Sequence, residues 1–195
     1  MKSFKNAGIA LTFTLMCLFT NTILAAPVRR YDVQVLIFSH ITPQTIQSQQ
    51  WPVVSPNNQI ISTAETAHPA FDLKREKKAL QRNPVYKILL DAHWQKTWRG
   101  ENESITIPLI GGNHQSQLQG TMTITLGHYF DVDTKLMLTE PTPLLQQLAS
   151  NGFFNHWNQP YFNFQLSENR RMRSNELNYL NHPLMGVLIK IIPIK

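Results

Sequence analysis

The sequence predicts an α+β fold: a single domain dominated by a mainly antiparallel β-sheet, with one or two short helices and long loops. Apolar residues alternate with polar ones over several short segments, which is the pattern of strands with one buried face. Turn signals such as Gly111-Gly112 lie between these segments, so consecutive strands are expected to pair antiparallel. Helical patterns are few and short, which leaves the sheet as the principal element.

Residues 31–38 form the first predicted strand. They are rich in β-branched and aromatic residues, which indicates that the strand is well buried. Residues 118–132 alternate regularly and are predicted to form one long strand, after which Asp133-Thr134 turns the chain. The further predicted strands are residues 86–94, 104–110, 135–139, 161–166 and 185–194.

The main predicted helix covers residues 73–82, with Asp72 as its cap and Asn83-Pro84 as its end. A second short helix is expected at residues 141–148. Residues 39–71 are polar and rich in proline, which predicts a long irregular connection. The main helix has a basic face that is either a solvated surface or an anion-binding surface. This face consists of Lys74, Lys77, Lys78 and Arg82.

Residues 1–26 have the order of a cleavable secretory signal peptide. Two lysines come first, an apolar run follows, and the small residues Ala25 and Ala26 precede the expected cleavage site. The apolar run is shorter than the roughly 20 residues of a transmembrane helix, so no transmembrane anchor is expected in the mature chain. Residues 27–195 are then one periplasmic domain, long enough to bury a core.

The composition limits the chemistry of the mature domain. Cys17, the one cysteine of the 195 residues, leaves with the signal, so disulfides and thiol chemistry are excluded. Loss of Lys2 and Lys5 lowers the net charge from +6 to +4, which favours anionic partners. Nucleic acid is a poor candidate in a periplasm. Anionic lipid headgroups and the carboxylates of cell-wall peptides are better candidates.

The local signatures of common enzymes and metal sites are missing from the sequence. The chain contains no glycine-rich phosphate loop, no Gly-x-Ser-x-Gly motif and no His-Glu-x-x-His motif. Its seven histidines are spread singly along the chain, without the spacing of metal ligands. These absences argue against an enzyme without excluding one, and we expect no catalytic residue, no metal and no cofactor.

Two pairs of residues are candidates for chemistry on a saccharide. Asp131 and Asp133 are two apart, which on a strand places both carboxylates on one side, about 7 Å apart. That separation suits acid and base roles, although a strand end that turns into solvent has the same pattern. Trp94 and Trp98, like Trp51 and Trp157, are candidates for stacking on sugar rings, and packing in the core or at its rim is the alternative.

Residues 169–186 contain the densest cluster of functional groups. Arg170, Arg171 and Arg173 repel one another unless an anion lies among them. The planar guanidinium holds carboxylates or phosphates by paired hydrogen bonds. If the preceding strand continues into this segment, Arg171 and Arg173 share one side and Arg170 faces the other. The anion is then either Glu176, as an internal counter-ion, or an external carboxylate.

The same segment resembles the signature of the CsiV family, exported proteobacterial proteins described as peptidoglycan-binding and linked to cell-shape integrity. The matching positions are Arg170, Arg171, Met172, Arg173, Ser174, Glu176, Leu177, Tyr179, Leu180, His182, Pro183, Leu184 and Gly186. Weaker similarity extends over most of the mature chain, including Gly120 and His128-Tyr129. Four residues differ from the family pattern, and each difference removes or alters an ionisable group. These residues are Gln34, Asp131, Asn178 and Asn181.

The resemblance implies a periplasmic protein that binds peptidoglycan and engages a peptidoglycan synthase, as a partner of a penicillin-binding protein or of its outer-membrane lipoprotein activator. The expected ligand-binding residues are Arg170, Arg171, Arg173, Glu176, Tyr179 and His182. One alternative is a wall-active hydrolase that uses Asp131, Asp133, Glu176 and His182. Another is an envelope assembly factor that contacts lipid through the basic helix.

Overall fold

The computed structural model describes residues 28–55, 68–149 and 152–194, and the structural statements below concern these residues. The predicted secretory signal, residues 1–26, lies outside them. Eight strands form two four-stranded sheets in which every pair is antiparallel. This confirms the predicted fold class. No helix in the described ranges has the length and apolar character needed to cross a membrane.

Sheet 1 joins the two ends of the described chain. Its strands are β1 (Arg29–Ser39), β2 (Lys87–Trp98), β7 (Asn178–His182) and β8 (Met185–Ile194), in the order β2-β1-β8-β7. Sheet 2 is a meander of consecutive strands. Its strands are β3 (Glu103–Gly112), β4 (Gln117–Leu126), β5 (Phe130–Pro141) and β6 (Tyr161–Met172), in the order β3-β4-β5-β6.

Three α-helices and one 3-10 helix connect the strands. They are α1 (Pro43–Ile46), α2 (Lys74–Gln81), α3 (Thr142–Leu148) and the 3-10 helix Phe154–His156. The two predicted helices correspond to α2 and α3. Asp72 does not cap α2, because Leu73 occupies the N-cap position and makes no side-chain capping bond. The Asp72 carboxylate instead pairs with Lys190 on β8.

The main core lies between the two sheets. Alternate residues of β1, such as Val33 and Ile37, point toward sheet 2 and are fully buried. Residues of sheet 2 such as Met122 and Phe164 belong to the same hydrophobic cluster. Burial of this apolar area from two facing sheets is the main favourable contribution to stability.

The opposite face of β1 is buried as well, which confirms the prediction of a well-buried first strand. Leu36 packs there with Leu73, which lies immediately before α2. The same face carries a buried polar network in which Gln34 Nε2 donates to Asp32 Oδ2 at 2.6 Å. The other oxygen of Asp32 lies 2.6 Å from His93 Nδ1. The chain around α2 therefore covers the outer face of sheet 1.

The outer face of sheet 2 is mostly solvent-exposed and polar. Its side chains come from alternate residues of β3 to β6, and the register places them in rows across the sheet. The exposed or half-buried members include Ser104, Thr106, Thr121, Thr123, Thr125, Asp131, Asp133, Lys135, Gln165, Ser167, Asn169 and Arg171. Within the described part of the chain, no helix packs on this surface. We call it the open face.

The predicted strand over residues 118–132 is wrong, because the chain turns at residues 127–129 between β4 and β5. Leu126 and Phe130 are directly opposite each other in the register and both point to the core. Inward-facing and outward-facing residues therefore continue to alternate across the turn, so the sequence pattern does not reveal the turn.

The predicted turn at Asp133-Thr134 is also wrong, because both residues lie in the middle of β5. Thr134 is buried and Asp133 faces outward. Two consecutive polar residues, one on each face of the strand, have the same sequence pattern as a turn. Gly111 and Gly112 end β3, and the actual turn follows them at residues 113–116. Strand β7 was not expected from the sequence, because its residues are mostly polar.

Candidate functional site

Two arginines and one tyrosine form a compact cationic group at one end of sheet 2. The guanidinium carbons of Arg171 and Arg173 lie 5.5 and 5.4 Å from the centroid of the Tyr129 ring. Arg173 Nη2 also donates to Tyr129 Oη at 3.5 Å. An aromatic ring attracts cations through its quadrupole, so Tyr129 offsets part of the repulsion between the two guanidinium groups. We call these three residues the Arg–Tyr site.

The strand pairing brings the Arg–Tyr site together. Strand β6 continues to Met172, so Arg171 faces outward, and Arg173 follows directly after the strand. Met172 pairs with Phe130, which places the β4–β5 turn and its Tyr129 beside the arginines. The prediction that Arg171 and Arg173 share one side is confirmed, because both lie against the same ring.

The arginines are only weakly neutralised within the protein. Arg171 Nε lies 3.4 Å from Asp131 Oδ1, and Arg173 Nη1 lies 3.8 Å from Glu176 Oε1. The two arginine side chains are 67% and 64% exposed. Exposed ion pairs at such distances contribute little to stability. The hydrogen bond to the Tyr129 hydroxyl raises the pKa of Arg173, so the charge is permanent.

A cleft of about 430 Å³ opens beside the Arg–Tyr site. Its lining includes Arg29 from the start of β1, His128, Ser174 and Glu176, together with Arg173 and Tyr129. Two cationic side chains, several aromatic rings, a hydroxyl and the carboxylate of Glu176 therefore surround one recess. Such a set of groups can hold a carboxylate or a phosphate, with Arg supplying paired donors.

Arg170 lies apart from this site. It points to the other side of β6 and pairs with Glu168 through Nε and Oε1 at 3.2 Å. The register places Arg170 opposite Val132, a core residue, whereas Arg171 is opposite the outward-facing Asp131. The predicted division of the three arginines between the two faces is confirmed.

Tyr179 and His182 belong to a different region, on β7. His182 pairs with Met185, which also pairs with Ser39 at the end of β1. The Arg–Tyr cleft contains Tyr31, eight residues before Ser39 on β1, so His182 is about 26 Å from the cleft along the strand. Tyr179 is nearer to the cleft, because it follows Glu176 by three residues, but its ring packs on Phe38. The structure thus separates the six predicted ligand-binding residues into two groups and leaves Arg170 on the opposite side of β6.

The environment of His182 favours its neutral form. Its Nδ1 accepts a hydrogen bond from the Leu184 amide at 3.2 Å, and its ring lies 5.8 Å from Trp51. Burial, with a smaller effect from His40, lowers the pKa of His182 to about 4. Tyr179 is stacked on Phe38 and donates its hydroxyl proton to Asn181 Oδ1 at 2.9 Å.

Trp94 and Trp98 do not offer surfaces for sugar stacking. Trp94 is 5% exposed and Trp98 is fully buried, because both belong to the core cluster between the sheets. Trp98 packs edge-on against Tyr31 and Phe130. The alternative interpretation, core packing, is therefore correct for both.

The four residues of the hydrolase alternative do not form one site. Asp131 and Asp133 share the outer face of β5, as predicted, but each has a basic neighbour, Arg171 and Lys135 respectively. Glu176 lies near Arg173, and His182 is on the other sheet at the distant end of β1. Among the described residues, no group of three or more His, Cys, Asp or Glu is arranged to hold a metal ion.

The basic face of α2 is partly neutralised. Lys77 Nζ lies 2.5 Å from Asp91 Oδ2 on β2. Lys74, Lys78 and Arg82 are exposed on the outer side of sheet 1. These cations lie on a different surface from the Arg–Tyr site.

Sequence reasoning missed Tyr129 and Arg29 as parts of the site. Tyr129 is more than 40 residues before the arginines, and Arg29 is near the start of the described chain. The β5–β6 pairing brings Tyr129 close to the arginines, and the edge-on packing of Tyr31 against Phe130 brings the start of β1 to the site. The adjacent residues His128-Tyr129 were the signal that could have placed Tyr129 in the site, but they lie in a turn that the sequence pattern does not reveal.

The fold and the site define a class of protein: an antiparallel two-sheet domain with an exposed cationic and aromatic recess. Residues 62–194 match the family described as peptidoglycan-binding protein CsiV. Because this match covers more than half of the chain, the chain belongs to the CsiV family, and the resemblance noted in the sequence is confirmed. Peptidoglycan is therefore the ligand that the family description assigns. No curated protein and no solved structure gives a significant match.

Proposed function

We propose that this protein is a periplasmic, non-catalytic peptidoglycan-binding factor in cell-wall assembly and cell-shape maintenance. The observation that carries the proposal is the position of Arg171 and Arg173 on the Tyr129 ring, with long ion pairs and mostly exposed side chains. The free carboxylates of wall peptides are the ligand that these groups suit. The predicted signal peptide, residues 1–26, supports the periplasmic location.

The arrangement of the arginines favours an external ligand over an internal network. A guanidinium has five N–H donors, and the protein occupies few of those on Arg171 and Arg173 at normal bonding distance. Asp131 and Glu176 orient the arginines but leave them room for a further carboxylate. Arg170, with a closer ion pair to Glu168, has a structural role in this proposal.

Binding to purified sacculi tests the proposal. Substitution of both Arg171 and Arg173 by Ala should reduce sedimentation with sacculi about tenfold or more, because two charge-assisted contacts are lost. Arg170→Ala, which removes one positive charge from the same segment, is the matched control and should bind nearly as the wild type. Binding should weaken as salt is raised. Equal binding of the double variant and the wild type would refute the arginine assignment.

A second measurement separates binding from hydrolysis. Sacculi incubated with the protein between about pH 4 and pH 9 span the titration of carboxylate and imidazole groups. No soluble muropeptide is expected at any of these pH values. Release of muropeptides that is lost in Asp131→Asn would support the hydrolase alternative instead.

The partnership with the synthase is part of the same proposal and rests on the family resemblance. A penicillin-binding protein or its outer-membrane lipoprotein activator is the expected partner. Purified activator and this protein should form a complex in the absence of sacculi. If association requires sacculi, the two proteins bind the wall independently and the proposed partnership is wrong.

A further inference from the structure

A second recess lies on the open face, at the far end from the Arg–Tyr site. It is a groove of about 480 Å³ between the ends of β4, β5 and β6, residues 53–55 and the segment that precedes β6. The residues that give it its chemistry are Gln117, Gln119, Trp157, Gln159, Tyr161 and Asn163. We call it the aromatic–amide groove.

The groove has no charge. None of its lining residues is Lys, Arg, His, Asp or Glu. Its polar groups are side-chain amides and hydroxyls, each of which can both donate and accept hydrogen bonds. Three aromatic residues line it, of which Phe162 is buried while Trp157 and Tyr161 are accessible to solvent. Amides and hydroxyls match the hydroxyl and acetamido groups of a sugar, and an aromatic ring matches the apolar face of a sugar.

Part of the groove is held rigidly. Trp157 Nε1 donates to the Tyr161 carbonyl at 3.0 Å, and its ring packs edge-on against Phe162 at 5.0 Å. Asn163 accepts from the Thr139 hydroxyl at 2.7 Å and donates to the Val54 carbonyl at 3.3 Å. A platform fixed in this way loses little entropy when a ligand binds.

Other groups of the groove are free to meet a ligand. Tyr161 is 51% exposed. The side chains of Gln117 and Gln159 are exposed and make no hydrogen bond to the described residues. A fixed tryptophan ring beside exposed amides and an exposed tyrosine suits a neutral polar ligand. An acidic or basic peptide would find no counter-charge in this groove.

Strand β6 connects the groove to the Arg–Tyr site. Asn163 and Arg171 are both on the outward side of β6 and are eight residues apart, about 26 Å. The exposed surface between them is predominantly Thr, Ser, Gln and Asn, with Asp133 and Lys135 as a charged pair. One continuous surface therefore offers cations at one end and an uncharged aromatic groove at the other.

We propose that the aromatic–amide groove binds the uncharged N-acetylated sugars of a glycan strand, while the Arg–Tyr site holds carboxylates of the attached peptides. The inference rests on the proposed function and assigns a separate subsite to the saccharide. It replaces the buried Trp94 and Trp98 with Trp157 and Tyr161 as the stacking residues.

A soluble β-1,4-linked N-acetylglucosamine tetramer tests the groove, because this probe has no carboxylate and no peptide. Trp157 is the partly exposed tryptophan, whereas Trp51, Trp94 and Trp98 are buried. The tetramer should therefore change the tryptophan emission, and Trp157→Phe should remove most of the change. Binding should not depend on salt, because no ion pair is formed.

Variants of the groove separate this inference from the proposed function. Tyr161→Ala combined with Gln117→Ala should weaken tetramer binding roughly tenfold, from loss of one stacking surface and one amide. Both side chains are exposed, so the fold should be retained. Phe71→Ala is the matched control, because Phe71 is equally exposed, at 52%, but lies on the side of sheet 1 near His93.

Two outcomes would overturn the inference. The first is absence of tetramer binding by the wild-type protein, and the second is unchanged binding by the Tyr161 and Gln117 variant. The double arginine variant should retain tetramer binding while losing sacculi, because its groove is intact. If the arginine variant loses sacculi and the tetramer never binds, the saccharide subsite is wrong and the arginine assignment stands.

Discussion

Arg173 and Tyr129 interact through two different parts of the tyrosine. The guanidinium carbon of Arg173 is 5.4 Å from the ring centroid, and Nη2 donates to the hydroxyl at 3.5 Å. The ring also receives Arg171, so one side chain orients both cations. Tyr129 is thus a positioning residue for the anion site, and its ring and its hydroxyl have separable roles.

Substitution of Tyr129 tests these two roles. Tyr129→Ala removes the ring and should weaken sacculus binding about fivefold to thirtyfold, the range expected for two exposed cation–π contacts of about 0.5–1 kcal/mol each. Tyr129→Phe keeps the ring and should fall between Ala and wild type. Co-sedimentation with sacculi at low salt measures both effects.

The control for this prediction is stability. Tyr129 is half-buried in the turn between β4 and β5, and phenylalanine keeps its ring, so thermal unfolding of Tyr129→Phe should match the wild type. If Tyr129→Ala binds sacculi as well as the wild type, the ring does not position the arginines.

Glu140 is a buried carboxyl group at the end of the core. Its side chain faces inward from β5, is fully buried, and has both oxygens without a hydrogen-bond partner among the described residues. Burial raises the pKa of Glu140 from 4.5 to about 7, and the nearby Ser116 opposes this only in part. The neutral acid is therefore the form that the folded state prefers.

The raised pKa of Glu140 predicts a loss of stability as pH increases. Glu140 ionises near pH 4.5 in the unfolded chain and near pH 7 in the folded chain. The contribution of its neutral form to the free energy of unfolding is therefore complete below pH 4.5 and is lost by about pH 7. A shift of this size corresponds to at most about 3 kcal/mol. Glu140→Gln should remove this decrease of stability with pH, and the variant should be more stable than the wild type at pH 8.

Urea unfolding at pH 5 and pH 8 measures this difference. Glu101→Gln, on an exposed turn, is the matched control and should leave the pH profile unchanged. A wild-type protein equally stable at both pH values, with no gain in Glu140→Gln, would contradict the prediction.

His182 predicts a change of the opposite sign in acid. Its folded pKa of about 4 lies below the ordinary value of 6.5, because burial and the nearby His40 disfavour the charged ring. The stabilising contribution of the neutral ring is present above pH 6.5 and is lost as pH falls toward 4. Protonation of Nδ1 also breaks the hydrogen bond from the Leu184 amide.

His182→Asn keeps an acceptor near that amide and removes the titration. We expect the wild type to lose about 1 kcal/mol more than this variant between pH 7 and pH 4.5, after allowance for partial exposure. Thermal unfolding in the two buffers provides the comparison. Identical acid slopes in both proteins would show that the pKa of His182 is the same in the folded and unfolded states, and the prediction would be wrong.

The sequence predicted features set by local periodicity and missed those set by long-range pairing. The common side of Arg171 and Arg173 follows from the two-residue period of a strand. The Tyr129 contact depends on the pairing of Phe130 with Met172, which no local pattern encodes. The orientation of Trp98 toward the core likewise depends on the facing sheet, so its burial was not predictable from its neighbours in sequence.

Gly120 provides a test of how closely β4 and β5 approach. A Cβ atom at this position would lie 2.0 Å from the Lys135 carbonyl oxygen and 2.8 Å from the Leu136 Cα. Both are backbone atoms of β5, so a methyl group cannot be accommodated by rotation of a side chain. Gly120→Ala should therefore destabilise the domain by about 1–3 kcal/mol, the range for overpacking in a core.

Gly100→Ala is the matched control, because a Cβ at Gly100 would have no atom within 4 Å. It should be neutral or slightly stabilising, since alanine reduces the freedom of the unfolded chain. Chemical denaturation of the two variants measures the difference.

Because β5 carries Asp131 and leads from the Tyr129 turn, displacement of β5 in Gly120→Ala should also weaken sacculus binding. Equal stability of the two alanine variants would mean that β4 and β5 accommodate the added methyl group without cost, which would contradict the prediction.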